Sequence, residues 1–169
     1  MKLEKPKLYK SVFNHFKDER GFLNHLDINK LIKQIDLETF VPKLQLMSFS
    51  QSHNTFRGFH FQTEPYLQSK LVILHSGKII DFIVPFKKPL VNSVKKFEMV
   101  AGDILFIPNT YAHGFLTKSP DVNIQYLIDN DFNLDCYKGI NGFKFIKKFV
   151  GKSKLFISEK DQKFKNYLD

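Results

Sequence analysis

Residues 57–62, Arg57-Gly58-Phe59-His60-Phe61-Gln62, place a guanidinium and an imidazole in one run that reads as a β-strand. Lys70 follows on the next β-rich run, and Tyr111-Ala112-His113-Gly114-Phe115 brings a second imidazole on a later one. Histidine titrates near neutral pH and is a common proton acceptor in enzyme sites. A lysine beside it would stabilise the negative charge that develops as a proton leaves carbon. The set points to proton abstraction. Its spacing does not point to a metal, because the single cysteine, Cys136, and the scattered histidines form no ligand cluster. A strand histidine is also often only a packed or solvated side chain, so the surrounding residues must carry the reading.

The elements that position these groups are mostly strands. Between Gln45 and Asp129, β-rich runs at 45–50, 57–62, 69–75, 78–85, 95–99, 103–107, 114–117 and 122–128 alternate with turn signals. Ser76-Gly77 predicts a tight hairpin between the flanking runs, and Asn109-Thr110 after Pro108 another turn. Strands at this spacing predict a mainly β domain, a jelly-roll sandwich or barrel, with a few short peripheral helices. Residues 8–16 predict a first strand, and Asp18-Glu19-Arg20-Gly21 a turn. Leu26, Ile28, Leu31, Ile32 and Ile35 have a helical period, predicting one or two short helices. Ser158-Glu159-Lys160-Asp161 reads as the capped start of a final helical turn.

The chain has 169 residues, which fits one domain with a sizeable core, and most of its 19 phenylalanines are expected there. The net charge of +9 comes from lysines spread along the whole length. That spread argues against a nucleic-acid patch and fits a field that draws in a small anion such as a diphosphate. Met1 to Lys10 is charged, unlike a signal peptide, and no apolar stretch is long enough for a membrane span. A soluble, cytoplasmic protein with no membrane or nucleic-acid partner is the expectation.

Gly102-Asp103-Ile104-Leu105-Phe106-Ile107-Pro108 followed by His113 resembles the second motif of the cupin fold. Metal-binding cupins carry two histidines one residue apart in the first motif. Here the matching place is His60-Phe61-Gln62, with Glu64 following, so the chain reads as a cupin with no metal and no cofactor. It also resembles the nucleotide-sugar 4-keto 3,5-epimerases. Asp18 to Phe22, Arg57 to Gln62, Lys70-Leu71-Val72, Ile107-Pro108 with Ala112 to Phe115, and Ile157 to Asp161 match that family's motifs in order. Tyr126, thirteen residues after His113, falls where the family carries its catalytic tyrosine.

The resemblance implies roles. His60 is the base, Asp161 orients it, Lys70 faces the enolate oxygen and Tyr126 returns the proton. Arg57 and Arg20 bind the diphosphate, and Gln45 and Gln62 contact the sugar. His113 either lines the pocket or holds a turn. Asp161 has an ordinary alternative as a helix-start carboxylate. The substrate implied is a nucleotide-diphosphate 4-keto-6-deoxy sugar, a dTDP- or GDP-hexose or a GDP-heptose, inverted at C3, C5 or both, in a surface-polysaccharide pathway. The family also implies a homodimer that exchanges its N-terminal strand, with residues 1–44 as the arm and 144–169 packing on the core of a single domain.

The match departs in three places. Asp131-Phe132 stands where many members carry paired aromatics, His25 stands for a usual glutamate, and Ile140-Asn141-Gly142-Phe143 replaces a tryptophan-containing stretch. These changes touch base and sugar recognition more than catalysis. Rival readings are a nucleotide-sugar 3,4-ketoisomerase, a metal-dependent cupin oxygenase and a non-catalytic sugar-binding cupin.

Overall fold

The β-rich runs pair into two antiparallel five-stranded sheets that face each other. The structure, a computed structural model, describes residues 5–35, 37, 39–87 and 89–165. The first sheet has the order β1 (Lys7–Tyr9), β9 (Ile104–Ile107), β6 (Lys70–Ser76), β11 (Val122–Ile128) and β4 (Leu44–Ser50). The second runs β12 (Tyr137–Gly139), β5 (Phe56–Gln62), β10 (Tyr111–Thr117), β7 (Lys78–Pro85) and β8 (Lys95–Val100). This is the predicted mainly β jelly-roll sandwich. A small hairpin, β2 (His15–Asp18) with β3 (Gly21–Asn24), projects from the N-terminal segment.

Period-two alternation sorts the side chains into three apolar clusters. Val72, Leu74, Ile79, Ile83, Leu105, Phe115 and Ile124 meet between the sheets. Leu71, Ile73 and Phe106, on the outer face of the first sheet, are covered by Leu31 and Ile32 of helix α1 (Ile28–Gln34). Phe59, Phe82 and Leu116, on the outer face of the second, are covered by Ile146 and Val150 of helix α2 (Phe143–Val150). Each such side chain contributes about 1.5–3 kcal/mol by leaving water. The sheets are therefore buried on both faces for much of their area, and their strands read as continuous apolar runs.

Four expectations change. Ser76-Gly77 does not close a hairpin: β6 and β7 lie in different sheets, and the pair carries the chain across the sandwich. Gly77 has a φ of +82°, and a Cβ there would meet Val122 and Ser119 side-chain atoms at 2.7 Å, so the corner is built for glycine. Second, the first strand divides into β1 and β2, because the chain leaves the sheet after Tyr9. Asp103, fully buried, fixes that exit by accepting from Ser11 N at 3.0 Å and Lys10 Nζ at 2.8 Å. Third, β10 begins at Tyr111, three residues earlier than predicted, so that His113 lies inside the strand. Fourth, α2 was not anticipated; Phe143, Ile146, Phe149 and Val150 have the helical period that marks it.

Candidate active site

At one end the space between the sheets is left open as a cavity of about 700 Å³. Its walls come from opposite sheets. Arg57, His60, Gln62, His113 and Phe115 line it from β5 and β10, while Leu46, Ser48, Lys70, Tyr126 and Ile128 line it from β4, β6 and β11. Residues 154–158, Lys160 and Asp161 form a third side.

Arg57 and His60 are three residues apart, and plain alternation would send them to opposite faces. A bulge prevents this. On β5 the step from Arg57 to His60 lies opposite the two-residue step from Phe115 to His113 on β10, so β5 carries one extra residue. Gly58 absorbs it at a φ of +137°, and a Cβ there would lie 2.3 Å from Gly114 Cα. The bulge brings both functional side chains to the cavity and sends Phe59 into the core beneath α2.

Asp161 accepts from His60 Nε2 at 2.7 Å through Oδ1, and from the Gly58 amide at 3.3 Å through Oδ2. Helix α3 (Glu159–Lys163) delivers it: Ser158 is the N-cap, and its Oγ accepts from Asp161 N at 3.1 Å. Burial alone would raise the Asp161 carboxyl, but the bonds from His60 and Gly58 outweigh it and hold it below the usual range. The dyad leaves His60 Nδ1 for the cavity. The helix-start position and the histidine partnership, weighed as alternatives for Asp161, are both realised.

The facing wall is arranged differently. Lys70 is buried and, among the described residues, its ammonium makes neither hydrogen bond nor ion pair; burial lowers it to about 8, against the charges of Asp81 and Asp129. The Tyr126 phenol likewise has no hydrogen-bond partner among the described residues, and burial and then Asp81 raise it. Across from them, on β10 and β7, His113 Nδ1 lies 3.4 Å from Asp81 Oδ2, and Asp81 Oδ1 is buried with no hydrogen-bond partner among the described residues. Burial raises the Asp81 carboxyl against His113 and Lys70, and lowers His113. His113 therefore lines the cavity and holds no turn.

Two predicted contacts fall elsewhere. Gln45 is exposed on β4, where the neighbours that line the cavity are Leu46 and Ser48, one pleat position away. Arg20 sits outside the cavity at the β2–β3 tip, where its guanidinium pairs with Asp18. Gln62 lines the cavity, yet both hydrogens of its amide already go to the carbonyls of Tyr66 and Asp131. His15 and His75 bond to Asn24, a structural use.

Sequence reasoning missed Asp81, Tyr137, Lys154 and Lys160. Asp81 carried a signal, a charge inside the apolar run Ile79 to Val84. The Tyr137 ring lies tilted against His60, 5.4 Å between centroids, under Lys160 Nζ at 4.0 Å, and its phenol is raised by burial and by Asp161. With Arg57, Lys154 and Lys160 make the mouth cationic. Among the described residues no group of three or more His, Cys, Asp or Glu side chains is placed to hold a metal ion, and no helix is long and apolar enough to cross a membrane.

The profile of the dTDP-4-dehydrorhamnose 3,5-epimerase family matches residues 3–169. The chain belongs to this family. It is thus an isomerase, of the epimerases that act on carbohydrates. The dTDP-4-dehydrorhamnose 3,5-epimerase of Escherichia coli K12 is 30% identical over 154 residues, covering 88% of this chain and 83% of that one. The one from Methanothermobacter thermautotrophicus is 30% identical over 164 residues, covering 89% and 84%. Among solved structures, the Bacillus anthracis enzyme with TDP and PPi bound superposes with a TM-score of 0.77 at 26% identity, over 98% of this chain and 96% of that one. The family is the one the sequence motifs resemble.

Proposed function

We propose that this epimerase inverts C3, C5 or both of a dTDP-linked 4-keto-6-deoxy sugar through an enolate. His60 Nδ1 takes the proton α to the C4 ketone, with Asp161 holding the ring and balancing the imidazolium. The C–H electron pair moves into the C4–oxygen group, whose negative charge the Lys70 ammonium stabilises. Tyr126 delivers a proton to the other face of the same carbon. Exchange with water then removes the proton from His60 and restores the phenol. The substrate's ketone is the electron sink throughout. One observation carries this reading: the base dyad and the free phenol lie on opposite walls of one cavity, with the buried ammonium beside the phenol.

The cationic mouth of Arg57, Lys154 and Lys160 is suited to the diphosphate. Phe132, 56% exposed at the cavity rim, is suited to stack on the nucleobase. Arg20 would serve the cavity of a second copy in a homodimer. Phe16, Phe22 and Leu23 on its hairpin and Met47 and Phe49 on the edge strand β4 are exposed, and they supply the apolar area that such an exchange would bury.

Proton NMR in deuterated water tests the proposal, with dTDP- and GDP-linked 4-keto-6-deoxy sugars offered separately. Deuterium at C3, C5 or both, with dTDP preferred and the signal lost in His60→Ala, is the expected result. Tyr126→Phe should keep exchange while slowing inversion. Absence of exchange with both donors, or full exchange in His60→Ala, would overturn it.

A further inference from the structure

The Gln62 amide lies beside His60 on the cavity wall, yet it is fully engaged with protein. Nε2 donates to Tyr66 O at 2.7 Å and to Asp131 O at 2.9 Å, and Oε1 accepts from Asn133 N at 2.7 Å. Asp131 O belongs to the peptide group before Phe132, and Asn133 N to the one after it. A single side chain thus holds both peptide planes that bracket Phe132. Gln68 adds to the hold: its Nε2 donates to Asp131 O at 3.0 Å and to Asn130 O at 3.1 Å. Asn130 is fixed in turn through Leu67 O at 3.1 Å. Gln62 and Gln68 are both more than nine-tenths buried, whereas the Phe132 ring is more than half exposed. A buried polar network of this kind is well suited to set the direction of one exposed ring.

We infer that Gln62 is a positioning residue that presents Phe132 to the nucleobase of the substrate. The inference rests on the nucleotide-sugar reading. Gln62 stands two residues from His60 on β5 and on the same face, so one strand sets both the base that acts on the sugar and the platform that holds the nucleotide. The distance between the two ends of the substrate is then fixed by one strand and one amide, with no contact between Gln62 and the sugar. A loop of residues 130–136 without this clamp would have to be ordered by the ligand at each binding event, at a cost in affinity.

The test is a double-mutant cycle read by calorimetric titration of dTDP, the nucleotide alone. Phe132→Ala should weaken dTDP by about tenfold or more, since stacking on an aromatic ring is worth that much. Gln62→Met, which keeps the volume and removes the amide, should weaken it by about fivefold. The double variant should bind no more weakly than Phe132→Ala alone. A purely structural Gln62 would lower Tm and leave the Kd unchanged, which overturns the proposal. Losses that add in full would also overturn it, because Gln62 would then act by a route other than Phe132. If Phe132→Ala itself leaves dTDP binding unchanged, the nucleotide platform fails and the clamp with it. If Gln62→Met does not fold, Gln68→Met, which removes two donors to the same segment, is carried through the same cycle with the same criteria.

Discussion

The two walls of the cavity are built on opposite terms. On the β5 side, His60, Asp161 and the Gly58 amide are bonded to one another, and the bulge that positions them is locked by the Gly58–Gly114 approach. On the β6–β11 side, Lys70 is buried and Tyr126 half-buried, and neither the ammonium nor the phenol holds a hydrogen-bond partner among the described residues. A paired wall is cheap to keep folded and needs no rearrangement to act as a base. An unpaired wall burdens the fold and gains its partner only when a ketone oxygen and a substrate carbon arrive. Stability and catalysis should therefore respond together on one wall and in opposite directions on the other.

The largest effect that tests this contrast is at Lys70. Lys70→Met removes the cation that faces the enolate, and kcat should fall by about 10²–10³-fold, as for loss of one oxyanion donor. The same change relieves a buried charge, so Tm should rise, with a gain of about 1–2 kcal/mol. A fall in Tm on a calorimetric scan would show that Lys70 holds the fold together and would break the contrast.

On the paired wall, Asp161→Asn should lower kcat by about 10²-fold. It should also lower Tm, by about 3 °C, because a neutral amide replaces the charge-assisted bonds that the carboxylate accepts from Gly58 N–H and His60 N–H. Retention of the wild-type Tm would mean that the dyad contributes nothing to folding.

The smallest effect is in pH. Lys70 is lowered to about 8 by burial, so kcat should decline as pH rises through that value and the cation facing the enolate is lost. The sign for stability is the reverse. Between about 8 and the ordinary 10.5 the unfolded chain binds the additional proton, so the Lys70 contribution to stability increases across that window. In Lys70→Met both alkaline trends should vanish from the pH–rate and pH–Tm profiles.

Much of this arrangement was legible in the residues. The strand runs were legible because most strands are apolar through and through and are separated by turn residues. His60, Lys70, Tyr126, His113 and Asp161 were legible through motif spacing, and all five line or adjoin one cavity. What was lost depended on pairing between distant strands. Gln45 differs from Leu46 by one pleat position, which only the register against Tyr126 decides. The extra residue at Gly58 is visible only against β10, and the two sheets that Ser76-Gly77 joins cannot be told apart from a hairpin by local turn chemistry. The role of Gln62 was hidden in the same way, since two of its three partners, Asp131 and Asn133, lie some seventy residues away along the chain.

The bond between His60 and Asp161 joins residues 101 positions apart. During synthesis the strand bearing the base is complete long before its carboxylate leaves the ribosome, so the growing chain has no dyad until α3 has been made. The segment 151–157 carries the covalent tie between them: a cut there would leave the strands of both sheets unbroken, and the carboxylate would then stay with its base only through non-covalent contacts such as those of Phe156 with Asn54 and Phe56.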